Sequence, residues 1–248
     1  MKGVRFYAAG YMSNFRKGLH DGIPIALGYL SVSFTFGLQC IANGLSWWQA
    51  FLISLTNLTS AGQFAGLGII TAGSGYFEMA CTQLVINMRY ALMGLSLSQK
   101  TDRTVRGVHR WCIGFGITDE IFAVAMGSKR EVSNKYLYGL ILLPVIGWSG
   151  GTLLGALAGA VLPDAVRSAL CIAIYGMFLA LIIPPAKKSS AVMKVILIAV
   201  ALSCCFRYVP VINKISGGFA IIISTIAAAA LGALLFPVPE ADTKEAAE

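Results

Sequence analysis

Residues 47–71 read WWQAFLISLTNLTSAGQFAGLGIIT, a run without one Asp, Glu, Lys, Arg or His. About 20 apolar residues suffice for a helix to cross the hydrocarbon core of a bilayer, so the run is long enough to span one. Its centre departs from a plain span. Asn57-Leu58-Thr59-Ser60-Ala61-Gly62-Gln63-Phe64 sets polar and small residues at mid-depth, and Gly66 and Gly68 follow. As one continuous helix, Thr56, Thr59, Ser60 and Gln63 share a single arc. Polar residues with glycines at this depth recur in transporters whose broken helices offer free N–H and C=O groups to a substrate. The structural alternative is that these small and polar residues only join helices together.

The surroundings repeat the pattern. About eight apolar segments follow one another, near 23–42, 47–71, 76–97, 111–127, 136–162, 168–183, 191–206 and 217–236. The chain is 57% hydrophobic and 12% charged. A soluble domain carries about 25% charged residues, so a soluble enzyme is excluded and an integral membrane protein is indicated. The expected fold is an all-α, polytopic helical bundle, with the second and fourth segments as candidates for broken or re-entrant elements. Residues 1–22 form a basic N-terminal segment, 23–236 the transmembrane domain and 237–248 a polar tail. The first apolar stretch suits a span better than a signal-peptide core, so no cleavage is expected. Six cysteines lie in or beside apolar runs without C-x-x-C spacing, which reads as small buried side chains.

The net charge of +8 is not a nucleic-acid footprint, because the basic residues fall in short clusters between apolar runs. Lys and Arg in loops stay cytoplasmic. The clusters are the N-terminus, Lys100/Arg103/Arg106/Arg110, Lys129/Arg130/Lys135 and Lys187/Lys188/Lys194. Eight plain crossings from a cytoplasmic N-terminus would put Lys100–Arg110 outside. If the second and fourth segments dip in and return, all four clusters lie inside and only Arg207 and Lys214 remain outside. Either way both termini are cytoplasmic.

Charges near mid-span are few: Arg89, Asp119 and Glu120, with Glu78 shallower. Each costs about 2.5–3.5 kcal/mol at the bilayer centre on the most lenient scale, so they pair or face water. A structural ion pair and a substrate or proton pathway are the two readings. Glu78, Thr82 and Arg89 share one helical face, and Gln83, Asn87 and Tyr90 nearly the opposite one, which suits a helix central in the bundle. Asp119 and Glu120 point about 100° apart, so one can pair with Arg89 while the other faces a cavity. Gly114 and Gly116 permit unwinding just before them. Gly147, Gly151, Gly155 and Gly159 repeat every fourth residue, a pattern for very close helix approach. Trp47, Trp48 and Trp111 read as interfacial anchors.

No nucleophile elbow or phosphate-binding loop is present. His20 and His109 lie outside the spans, so no metal site and no cofactor are expected. An ATP-driven pump would need a soluble nucleotide domain for which the chain has no room.

Four blocks together resemble the AzlC family of branched-chain amino-acid permeases. They are Gly22-Ile23-Pro24 with Gly28 and Phe34 to Gly37, then Ser60-Ala61-Gly62-Gln63-Phe64, then Asn87-Met88-Arg89-Tyr90-Ala91-Leu92-Met93-Gly94, then Gly116-Ile117-Thr118-Asp119-Glu120. They run in the family's order over Gly18–Val124. Where the family often carries Arg-His, this chain has Arg89-Tyr90. The resemblance implies export of branched-chain amino acids such as valine from the bacterial cytoplasmic (inner) membrane, with a small hydrophobic AzlD-type partner subunit. The physical reading agrees with it. Asn57, Thr59, Ser60, Gly62, Gln63, Phe64, Asn87 and Arg89 are the candidate substrate contacts, with Arg89 or freed N–H groups taking the carboxylate and Asp119 the ammonium. Asp119 and Glu120 are the candidate proton carriers. A pore-type channel for small polar solutes and a non-transporting membrane scaffold are the alternatives.

Overall fold

The computed structural model describes residues 2–128, 131–159, 161–163, 165–166, 176, 179, 182–210 and 212–237, with side chains from Phe15 onward. The sixth apolar segment, Cys171, the pair Lys129/Arg130 and all but the first residue of the expected C-terminal tail lie largely or wholly outside them. The described chain is helical: α1 (Lys2–Ala42), α2 (Trp47–Thr56), α3 (Ser60–Thr71), α4 (Tyr76–Lys100), α5 (Val108–Phe115), α6 (Asp119–Met126), α7 (Asn134–Gly159), α8 (Ser190–Tyr208) and α9 (Gly217–Leu235). Two compact bodies form, residues 1–64 with 87–174 and residues 65–86 with 175–248.

Four helical stretches are long and apolar enough to cross a membrane: Phe15–Ala42, Asn134–Gly159, Ser190–Tyr208 and Gly217–Leu235. The protein is an all-α polytopic membrane bundle with at least four apolar spans. Helix α4 has the length, at 25 residues, but Glu78, Gln83, Asn87 and Arg89 dilute its apolar character. The second and fourth segments are each interrupted, between Thr56 and Ser60 and between Phe115 and Asp119.

The first body is organised around α1 and α7. Gly18 lies against Tyr136 and Leu140, Gly22 against Leu140, and Gly37 against Thr152 and Ala156. From the other side Gly147 meets Ala26, Gly151 meets Leu30 and Gly155 meets Phe34. Residue numbers rise together, so the two helices run parallel. The four-residue glycine repeat anticipated this contact, and α1 supplies glycines of its own. Lipid tails are as apolar as side chains, so such a pair is held by dispersion between closely approaching backbones and not by the hydrophobic effect. On α4, Met88, Leu92 and Leu95 are exposed.

Around the parallel pair, Tyr29 and Trp148 meet edge-on with ring centroids 5.2 Å apart. Leu58, Leu97, Val105, Ile113 and Ile121 join the same buried cluster. The chain on either side of α5 and α6 is tied together. Asp102 N–H donates to the Val132 carbonyl at 3.1 Å, Val132 N–H to the Lys100 carbonyl at 3.0 Å, and Asn134 N–H to Thr104 Oγ1 at 3.0 Å.

In the second body α8 and α9 form an antiparallel hairpin, with Gly232 against Val195. The Glu78 carboxylate, buried, accepts from Gly218 N–H at 2.8 Å at the first turn of α9. A carboxylate at a helix N-terminus satisfies an orphan donor and favours the dipole, so Glu78 has a structural role there.

Candidate functional site

The break after α2 begins at Asn57, whose φ of −144° and ψ of 112° are extended. Asn57 Oδ1 accepts from Thr59 N–H at 3.2 Å, the local bond by which Asn competes with helix. The arc of Thr56, Thr59, Ser60 and Gln63 therefore does not form, because three residues between them leave the helix. Gln63 then reaches back. Its amide donates to the Asn57 carbonyl, to the Ile53 carbonyl at 3.3 Å and to Ser54 Oγ at 3.2 Å. The last carbonyls of α2 have no intrahelical partner, and Gln63 supplies one. Ser54 Oγ is in turn 2.6 Å from Thr152 Oγ1 on α7. Gln63 is thus a clamp on the break.

The second break runs through Gly116, Ile117 and Thr118. Gly116 is favoured by space, since a Cβ there would strike the Ile141 side chain. Thr118 caps α6, its Oγ1 accepting from Ile121 N–H at 3.4 Å. The first two residues of α6 are held from opposite sides. Arg89 Nη1 lies 2.7 Å from Asp119 Oδ2, with both side chains nearly half exposed. The Tyr29 hydroxyl bonds the Glu120 carboxylate and sits 2.5 Å from Thr118 Oγ1. One acid pairs with Arg89, as the roughly 100° divergence allowed, and the other is bonded to Tyr29.

Between the two breaks lies a cavity of about 140 Å³. It is lined by the ends of α2 and α5, the two breaks themselves and α4, through Thr56, Asn57, Thr59, Asn87, Tyr90 and Ile117 among others. One water needs only about 10–15 Å³ of such space, so a small solute fits. Its lining mixes hydroxyls and amides with apolar walls and contains no charged residue. Of the residues anticipated from sequence, Asn57, Thr59 and Asn87 meet here. Ser60, Gly62, Gln63 and Phe64 do not line it, and Phe64 packs edge-on against Phe36 at 5.2 Å. Arg89, Asp119 and Glu120 do not line it either and are engaged in the bonds described.

Tyr29, Tyr90 and Thr118 were not singled out as site residues by the sequence. A lone tyrosine within an apolar span was the available signal, because a buried phenol needs a partner for its hydroxyl. That partner is 91 residues away.

This fold and site define a polytopic α-helical membrane protein with a polar cavity between two broken helices. The AzlC protein family model matches residues 24–162, and the chain belongs to that family. The family is transporter-like and is not one of enzymes. An "Uncharacterized membrane protein" of Archaeoglobus fulgidus is 38% identical over 176 residues, covering 70% of this chain and 76% of that protein. "Inner membrane protein YgaZ" of Escherichia coli K12 is 28% identical over 178 residues, covering 69% and 73%. An "Uncharacterized membrane protein" of Helicobacter pylori is 28% identical over 158 residues, covering 60% and 67%. No solved structure matches the chain.

Proposed function

We propose that the protein is a secondary, proton-coupled exporter of branched-chain amino acids such as valine, resident in a bacterial inner membrane and acting with a small AzlD-type subunit. The observation that carries this reading is the 140 Å³ cavity between two helix breaks, the second of which leads directly into Asp119 and Glu120 at the start of α6. Leu58, Phe115 and Ile117 offer apolar walls for an aliphatic side chain, and Thr56, Asn57, Thr59 and Asn87 offer polar groups for the two charged ends of an amino acid. The starts of α3 and α6 favour a carboxylate, and the ends of α2 and α5 an ammonium, by the helix dipole. Arg89 is paired with Asp119 and the cavity lining is uncharged, which suits a net-neutral zwitterion.

The α5–α6 pair is re-entrant in this reading. The bonds joining residues 100–104 to 132–134 support it, since the chain enters and leaves the pair at one end of α7. The same end carries Arg16, Lys17, Lys100, Arg103 and Lys135, which supports a cytoplasmic assignment for it and for the N-terminus. Asp119 and Glu120 support proton coupling, because protonating either would weaken its bond to Arg89 or Tyr29 at the start of α6.

Counterflow of labelled valine in proteoliposomes, with and without the small subunit, tests the reading. Saturable exchange is expected, and Asp119→Asn with Glu120→Gln should uncouple it from an imposed pH gradient. Unchanged pH dependence in both variants would end the proton role, and no saturable exchange under any condition would end the transport reading.

A further inference from the structure

Helices α1 to α3 and α4 to α6 follow one plan: a long helix, a short one, a three-residue break and another short one. A shift of 59 residues carries Thr56 at the end of α2 onto Phe115 at the end of α5, and Ser60 at the start of α3 onto Asp119 at the start of α6. It also brings Ala42, where α1 stops, to within one residue of Lys100, where α4 stops. Thr59 falls on Thr118, and each caps the helix that follows it: Gly62 N–H reaches Thr59 Oγ1 and Ile121 N–H reaches Thr118 Oγ1, both at 3.4 Å. Ser54 and Ile113, Gly62 and Ile121, and Leu38 and Leu97 are buried pairs under the shift, whereas buried Phe36 and Cys40 fall on exposed Leu95 and Gln99. Only Leu38/Leu97, Thr59/Thr118 and Gly68/Gly127 are identical in residue type, so the relation is carried by element order and capping.

The two copies point in opposite directions. Helix α1 passes the start of α7 at Gly18 and leaves beside Thr152 at Gly37. Helix α4 does the reverse, for its last residue, Lys100, bonds Val132 just before α7. The first break is approached from the far end: α2 begins after Ala42, Leu58 reaches the cluster of Tyr29 and Trp148, and Phe64 turns back to Phe36. The second is approached from the near end, where segments 100–104 and 132–134 are tied, and its tip reaches Tyr29 through Thr118.

We infer that α1–α3 and α4–α6 are an inverted repeat, and that its two breaks are equivalent walls of one substrate site that opens to the two membrane faces in turn. Thr118 is then the counterpart of Thr59, which stands among the candidate substrate contacts. The inference deepens the transport reading and rests on it for the identity of the solute. Two hairpins related by a two-fold axis in the membrane plane can exchange packing environments, which converts an outward-open site into an inward-open one without moving the solute far. In the present state the first hairpin is held by Ser54, Gln63 and Thr152 and the second by Arg89, Asp119, Tyr29 and Glu120.

Single cysteines in the full chain, with the six native cysteines replaced, test the plan. Asn43→Cys precedes the first hairpin, and Arg103→Cys and Glu131→Cys flank the second; all three positions are exposed. With a membrane-impermeant maleimide, Asn43→Cys should label from the outer face only, and Arg103→Cys and Glu131→Cys from the inner face only. Asn57→Cys and Ile117→Cys, one in each break, should each label from both faces. Labelling of 103 and 131 from opposite faces would show a plain crossing and overturn the inverted repeat. Labelling of both break positions from a single face would overturn the alternating site. Loss of valine counterflow with this labelling pattern intact would instead remove the proposed solute and leave the architecture standing.

Discussion

Gly155→Ala on α7 should weaken the protein where Gly150→Ala, on the same helix, does not. A Cβ on Gly155 would come within 3.0 Å of three backbone atoms of Phe34 on α1, whereas a Cβ on Gly150 meets nothing within 4 Å. Backbone cannot rotate away as a side chain tip can, so relief requires α1 and α7 to separate along their contact. Overpacking of this kind costs about 1–3 kcal/mol. In a chain of this size about 2–4 °C of melting temperature is lost per kcal/mol. Gly150→Ala, by contrast, gains helix propensity at an open position, worth up to about 1 kcal/mol. The assay is recovery of monodisperse protein by size-exclusion chromatography after heating in detergent, with the two variants and the parent run together. A lower midpoint for Gly155→Ala and an equal or higher one for Gly150→Ala is expected. Equal midpoints for the two variants would refute the parallel α1–α7 contact and, with it, the placement of Tyr29 opposite α6.

Tyr29→Phe keeps the ring on Trp148 and deletes the hydroxyl bonds to Glu120 and Thr118. A hydrogen bond to a charged group is worth about 1.5–3 kcal/mol, so flux should fall about tenfold while abundance holds; unchanged flux would mean the bond is incidental. For Arg89 and Asp119, a double-mutant cycle with Ala at each position should show a positive coupling in stability. The pair is nearly half exposed, so the expected coupling is about 1 kcal/mol or less in detergent, and additive losses would argue that the ion pair contributes nothing. Glu78→Gln should lower the melting midpoint by the loss of a charged cap, about 1 kcal/mol. Its transport per folded molecule should stay the same, and a selective loss of flux would move Glu78 into the transport pathway.

The membrane class was legible in the charge count, and the two interruptions in the polar and glycine residues at mid-depth. The α1–α7 contact was half legible: the glycine repeat of α7 announced a close approach, but nothing in one sequence says which helix approaches. Gln63 shows why the site was harder to read. A glutamine in an apolar run looks like a ligand, yet here its amide is consumed by the carbonyls that the break at Asn57 leaves behind. The break was suspected from composition, but its consequence for Gln63 depends on the chain folding back, which is a tertiary fact. Tyr29 was passed over because an aromatic in a span is usually apolar surface, and its polar end matters only once Glu120 is placed.

The position of the carboxylates at the start of α6, outside the cavity's lining, makes a specific demand on coupling. A proton carrier in direct contact with solute can act by charge alone. Asp119 and Glu120 instead begin α6, so their protonation acts on the helix that forms one wall. The charged and titratable groups around them are Arg89 on α4 and Tyr29 on α1. Asp119→Asn resembles permanent protonation of that residue, as does Glu120→Gln of the other, and each variant should leave one of the two bonds intact. If coupling runs through the hold on α6, the double variant should expose Ile117→Cys to an impermeant maleimide faster than either single variant at neutral pH. In a parent carrying only Ile117→Cys, acidification in a pH range the maleimide tolerates should move labelling in the same direction. Labelling that ignored both acid substitutions, while valine exchange still lost its response to a pH gradient, would place the proton's effect on the solute and not on the helix.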